Sequence, residues 1–266
     1  YKRFMQRFPL LSTRSAQAIS KARNRVTSDD VTLFHTTLAD AYEKYGFEAC
    51  QVFNMDETSF VSKKNTKTVV AARGSRNVWT AEVSTSFHLT IVACGGADGT
   101  AIPPAFILPG QTVKLNVLDF CTVPGAAVST TESGFMNAEF FAEWLRYFEA
   151  SAPRDTPRPL LLIMDGCSAH YSLKVCDTAV ELKILLATLP SNATHLFQPL
   201  DVAVFGSFKR KLRLLLNTFV GEQGNDSIPK NKALMIASLA WQGCHFDENI
   251  HAGFRGCGLY PCPWIR

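Results

Sequence analysis

The stretch RPLLLIMDGCSAH, residues 158–170, constrains the fold of this chain more than any other. Five apolar residues, Leu160 to Met164, stand between a proline and a carboxylate, Asp165. A run this short, without polar alternation, reads as a strand covered on both faces. A charge directly beyond it marks the carboxyl end of a central strand, the edge where open α/β sheets place their chemistry. After the helical segment SLKVCDTAVELK, the run ILLATLP reads as a second buried strand.

The upstream chain fits the same architecture. The first 30 residues are basic and read as helix and loop. TSDDVTLFHTTLADAYEKYG predicts an amphipathic helix, capped by Ser28 or Asp29 and ended by Gly46. CQVFNMDETSF predicts a strand that closes at Asp56 ahead of a turn. TKTVVAARG and SFHLTIVACGGADG predict further strands. TAIPPAFILPG adds another, with Pro103 and Pro104 confining its first half to a sheet edge. Residues 111–128 fit neither period. NAEFFAEWLRYFEA predicts a helix capped by Asn137, with Phe140, Phe141, Trp144, Leu145 and Phe148 along one face. Strands first, then alternating helix and strand, predict an α/β fold whose mixed sheet is flanked by helices.

Composition narrows the function classes. With 47% hydrophobic and 19% charged residues in 266, the chain can bury a sizeable core. It lacks an apolar run of about 18 residues, so no membrane-spanning helix is expected. Its first residues lack the apolar centre of a secretory signal, and it starts without Met, as a fragment would. A net charge of +4 pulls weakly toward a polyanionic partner. The eight irregularly spaced cysteines read as reduced thiols of an intracellular protein. Cys244, His245, His251, Cys257 and Cys262 are the densest group of ligand-type residues. Without a Cys-x-x-Cys knuckle they read as buried cysteines rather than a zinc site.

Three aspartates remain. Asp56 and Asp165 each follow a strand, and Asp201 lies beyond ILLATL, where the stretch LPSNATHLFQPLDVAVFGSFKRKLR turns from loop into helix. At about 100° per residue, Asp201 shares a helix face with Phe205, Phe208, Leu212 and Leu215, while Lys209, Arg210 and Arg213 fall elsewhere. Singly, each has a bland reading: Asp56 and Asp165 as turn residues bonding their own backbone, Asp201 as a helix cap. Together, three carboxylates at one sheet edge repel each other unless cations sit between them. Oxygen-only ligands suit Mg²⁺ or Mn²⁺, and two such ions suit phosphodiester cleavage.

NMDETSF, LLLIMDGCSAH and LPSNATHLFQPLDVAVFGSFKRKL together resemble the DDE superfamily endonucleases. The match is to the pogo-like branch of the Tc1/mariner transposases, which also holds centromere protein B-like and jerky-like proteins. The phrase LP-x-N-x-T-H-x-x-QPLD-x-x-VF is the most specific part. The separation of Asp165 and Asp201 (201 − 165 = 36) suits that branch, and NIHAGFRGCGLYP resembles its FR-x-x-G-x-x-P ending. The resemblance covers roughly Gln51 to Pro261.

This resemblance implies a ribonuclease H-like fold and an Asp56, Asp165 and Asp201 triad that is both catalytic and metal-binding. Two Mg²⁺ or Mn²⁺ ions are implied, with Asp56 bridging them. Glu57 is expected to support the site or the fold, and Gln198 to tie its loop down. His170 and His195 are expected to orient ligands, contact phosphate or simply pack. Residues 1–48 are expected to be a remnant of a helix-turn-helix region with a linker helix, because RFPLLSTR resembles the tail of the family's second DNA-reading unit. Residues 49–266 are expected to be the catalytic domain. DNA is the implied partner, with a homodimer on transposon ends, in the nucleus. Lys209, Arg210, Lys211, Arg213 and the N-terminal basic residues are expected to grip phosphates. Two functions stay open: a metal-dependent DNA endonuclease and strand transferase, or a domesticated or relic module that binds DNA or protein without catalysis. RNA cleavage is a third, since a fold does not fix the nucleic acid.

Overall fold

A computed structural model describes residues 2–10, 26–60, 85–223 and 227–262. The strand expected at TKTVVAARG lies outside these residues. In chain order the elements are α1 (Lys2–Arg7), α2 (Ser28–Tyr45), β1 (Val52–Ser59), β2 (Thr90–Gly96), β3 (Ala101–Pro109), α3 (Leu115–Leu118), β4 (Ala127–Thr131), α4 (Ala138–Ser151), β5 (Leu160–Met164), α5 (Leu173–Glu181), β6 (Ile184–Thr188) and α6 (Thr194–Phe197). A π-helical turn, Leu200–Val204, then leads into α7 (Phe205–Gln223), α8 (Lys230–Gln242) and α9 (Asp247–Gly256).

Among the described residues six strands form one mixed sheet in the order β4-β3-β2-β1-β5-β6. β2 runs antiparallel to both its neighbours, and the other pairs are parallel. The strand alternation divides the core into two layers. Phe53 and Met55 of β1 pack with α4 and α5, beside Leu160, Leu162 and Met164 of β5. Val52 packs with α2, α7, α8 and α9, beside Leu161 and Ile163. All five residues of β5 are buried, as a run without polar alternation requires.

Several local expectations need correcting. Thr27, not Ser28 or Asp29, caps α2: its hydroxyl accepts from Asp30 N, and the Asp30 carboxylate accepts from Thr27 N. This capping box outcompetes a lone acidic cap because it satisfies two free amides at once. Gly46 ends the helix in the left-handed region, φ 61°. β6 is not a buried strand but an edge strand among the described residues; there it pairs with β5 alone, and four of its five residues are only half-buried. β3 lies inside the sheet, yet β4 pairs with it only from Ala105 onward. Its Pro103–Pro104 half is therefore an edge, and the ladder to β2 shifts register there. The segment of undecided period holds α3 and the start of β4.

The chain's tail braces the turn that carries Asp201. α9 packs against that π-helical turn, and the buried Gly253 meets Pro199 directly. A Cβ on Gly253 would lie 2.7 Å from the Pro199 carbonyl oxygen. Gly253, the residue directly before the FR-x-x-G-x-x-P motif, thus touches the QPLD motif across the fold.

Candidate active site

Asp165 directly follows β5. Asp56 does not close its strand, as expected from the sequence: β1 continues to Ser59 because β2 pairs with it that far. The parallel ladder to β5 stops at Asn54–Ile163, however, so Asp56 lies just past its end. Asp201 sits in the π-helical turn. It is exposed, whereas Phe205, Phe208 and Leu212 are buried. The face assignment at 100° per residue fails for Asp201 because a π turn advances by a smaller angle than an α turn. Asp201 is also not the cap; Pro199 holds that position.

A buried polar network joins the three segments. The Asn54 side chain is fully buried in β1 and donates to Ile163 O (2.9 Å) and to Gln198 Oε1 (2.9 Å). Asn54 Oδ1 accepts from Leu200 N (3.3 Å), and the buried Gln198 donates to Met55 O (3.0 Å). Two side chains thereby hold β1, β5 and the Asp201 turn in one register, and Gln198 ties its loop down as expected. Asn54 was missed in the sequence. Its signal was an amide inside the otherwise apolar run VFNM, two residues before an acid and therefore on the same sheet face.

The electrostatics follow from this placement. Asp56 keeps some exposed surface, but lost hydration pushes its carboxyl well above the ordinary range, and the Asp201 and Asp165 charges push it further. Its own backbone resists in part, since Glu57 N donates to Asp56 Oδ1 at 2.8 Å. Asp165 goes the other way. The hydrogen bond from His170, helped by Cys167 N at 3.2 Å, holds it below the usual carboxylate range against its burial.

His170 is 2% exposed, with Nδ1 3.1 Å from both Asp165 Oδ1 and the Asp165 carbonyl oxygen. Burial lowers its pKa, but the Asp165 bonds and the Glu57 charge outweigh this and raise it to about 10. Glu57 Oε1 is 3.8 Å from Nε2, too far for a hydrogen bond, so Asp165 is the principal partner. Strand alternation separates Glu57 from Asp56, turning it toward the α4 side. His195 instead makes a local turn, its Nδ1 3.1 Å from Asn192 O.

The donor set is chemically fit for hard divalent cations. It consists of carboxylate oxygens around a buried carboxyl whose charge its neighbours disfavour. Among the described residues no three such groups form a closed ligand cage. The acids are neighbours in charge rather than a finished coordination sphere.

A basic cleft of about 650 Å³ lies between α7 and the turn joining α8 to α9. Arg210, Lys211, Arg213, Asn217, His245 and Asn249 line it. Among the described residues none of its three cations has a carboxylate partner within 4 Å. Lys209 does not line the cleft; its Nζ lies 5.3 Å from the Phe205 ring centroid.

Residues 87–254 match the family model of the DDE superfamily endonuclease. The chain belongs to the DDE superfamily endonucleases. Curated relatives of this DDE chain include a mouse (Mus musculus) "Pogo transposable element with KRAB domain", 24% identical over 97% of this chain and 43% of the relative. Another is a Cochliobolus lunatus "MFS-type transporter clz9", 27% identical over 82% of this chain and 24% of the relative. The chain thus spans less than half the length of these relatives. Among the described residues no helix is long and apolar enough to cross a membrane. The Mos1 transposase, in its paired-end complex with the left transposon end, superposes with a TM-score of 0.58 at 15% identity, covering 98% of this chain and 68% of that one. The Mos1 paired-end complex with Mn gives 0.51 at 15% identity, covering 91% and 68%. The mixed sheet flanked by helices has the ribonuclease H-like fold that the Mos1 transposase also shows.

Proposed function

We propose that this DDE domain is a transposase-derived nuclease that cleaves and transfers DNA strands with divalent cations held by Asp56, Asp165 and Asp201. The observation that carries this is the half-buried Asp56 carboxyl, disfavoured by lost hydration and by two other acids at the carboxyl edge of the sheet. A neutral replacement would relieve that cost, so carboxylates kept together point to a cation between them. Bound there, Mg²⁺ or Mn²⁺, two ions in this reading, supply Lewis acidity and an activated water for phosphodiester chemistry. The manganese named for the Mos1 complex supports the same class of metal.

The protein's own contribution is positioning. His170 orients Asp165 and keeps it ionised. The Asn54–Gln198 network holds the three acid-bearing segments. Arg210, Lys211 and Arg213, with Lys209 nearby, draw in the DNA backbone. Residues 1–48 serve as the remnant of a DNA-reading region and linker helix, ahead of the catalytic domain at 49–266. A homodimer on transposon ends in the nucleus fits this reading.

Metal titration calorimetry tests it. The protein mixed with a short duplex is expected to bind Mg²⁺ or Mn²⁺, and Asp56→Asn, Asp165→Asn and Asp201→Asn are each expected to lose that heat. Retained binding in any one variant removes that residue from the set. No heat from the parent protein at millimolar metal favours a relic binding module instead.

The cleft gives a second expectation. The double change Arg210→Ala with Arg213→Ala is expected to weaken DNA binding and to reduce the slope of log affinity against log salt by about two, roughly one per lost phosphate contact. An unchanged slope, measured by fluorescence anisotropy across a salt series, would place the DNA elsewhere.

A further inference from the structure

We propose that Phe135, stacked on His88 at the acid-bearing edge of the sheet, is a platform for an unpaired nucleobase. The inference rests on the nucleic-acid reading above and adds to it a subsite that reads the base rather than the phosphate.

Phe135 is 52% exposed, and its ring centroid lies 3.8 Å from that of His88, with 13° between the ring planes. Two π-faces are therefore already in register at the surface. The pair belongs to the same edge as the acids. Thr90, two residues after His88, pairs with Ser59 at the end of β1, and Phe60 N donates to Leu89 O at 3.0 Å. His88 is close enough to Glu57, the neighbour of Asp56, to feel its charge.

The backbone of the loop that carries the ring is also tied down. Thr131 Oγ1 donates to Phe135 O (2.7 Å), and Thr90 Oγ1 donates to Gly134 O (2.8 Å). Gly134 has φ 81°, and a Cβ there would lie 2.6 Å from His88 O, so the loop sits tight on the start of β2. A rigid aromatic surface loses little entropy when a ligand stacks on it.

A packing role does not account for this exposure. The residue before the Asn137 cap, which commonly packs back on the helix as a staple, is Met136, and it is buried. Phe135 lies one residue earlier, outside that contact. Its surface fits a flat, sequence-tolerant ligand such as a base extruded or frayed near the scissile bond.

The test separates base from phosphate. Binding of a short single-stranded DNA and of an abasic strand of equal length is measured by fluorescence anisotropy in chelator. The parent is expected to bind the base-bearing strand more tightly, by roughly five- to a hundredfold, the range for one aromatic stack. Phe135→Ala is expected to remove that gap and leave abasic-strand affinity unchanged, and Phe135→Trp to keep or widen it. A parent with no gap, or a Phe135→Ala protein that retains it, overturns the platform while leaving the nucleic-acid reading intact. Failure to bind either strand overturns both. A near-ultraviolet circular dichroism spectrum matching the parent's confirms that each variant is folded.

Discussion

Asp165→Asn is expected to lower metal-dependent strand cleavage by more than about a hundredfold, the upper range for groups that merely orient metal ligands, while the protein stays folded. An asparagine can still accept the Cys167 amide, so the turn after β5 keeps its shape. What disappears is the charge that pairs with His170 and with any bound cation. The stability cost is the difference between a charged and a neutral hydrogen bond, about 1 kcal/mol. Cleavage of a labelled duplex, set beside urea unfolding, separates the two effects. Unchanged cleavage would remove Asp165 from the chemistry.

Asp56→Asn gives the contrasting result. In chelator the parent carries a carboxyl held above its ordinary value of 3.8 by burial and by Asp201 and Asp165. Above that ordinary value the folded state binds more protons than the unfolded state, so stability falls as pH rises toward the raised value. Asp56→Asn removes this slope and is expected to be at least as stable as the parent at neutral pH without metal. Adding Mg²⁺ is expected to reverse the order, because only the parent gains binding energy from it. Thermal unfolding in chelator and in Mg²⁺ reads both halves.

The sheet was legible in the sequence because it is written in local patterns. The run Leu160 to Met164 reads as a doubly covered strand, and the aromatic period after Asn137 reads as one helix face. What was not legible depends on neighbours. β1 runs past Asp56 because β2, more than thirty residues later, pairs with it to Ser59. β6 carries the same apolar pattern as a buried strand, but among the described residues it has no partner on its far side. Asp201 left its expected face because one π-helical turn changes the angular step, which no periodicity count over α7 reveals. The His88–Phe135 stack joins residues 47 positions apart (135 − 88) and had no signature in either segment. The acids and their mutual repulsion at one sheet edge were readable in the sequence; the Asn54–Gln198 network that joins their segments needed the fold.

The Asn54–Gln198 pair explains why the three acids stay together, and its loss is expected to be costly. Asn54→Ala removes two donated bonds and one accepted bond, leaving Gln198 Oε1, Ile163 O and Leu200 N without that partner in a buried setting. At about 1–3 kcal/mol for a buried polar group left unsatisfied, a loss of about 3 kcal/mol is expected in urea unfolding. Asn54→Asp is the informative companion. It keeps the size and the acceptor for Leu200 N but loses the amide donors and adds a charge beside Asp56, so it is expected to be destabilised as much or more. Gln198→Glu keeps an Oε1 that accepts from Asn54 Nδ2, but it loses the bond to Met55 O and likewise buries a carboxyl, so it too is expected to be destabilised. If the network only stabilised the fold, metal affinity in the surviving folded fraction of these variants would match the parent's. If it positions the acids, Mg²⁺ affinity falls about ten- to a hundredfold in Gln198→Glu, even below the temperature where it unfolds.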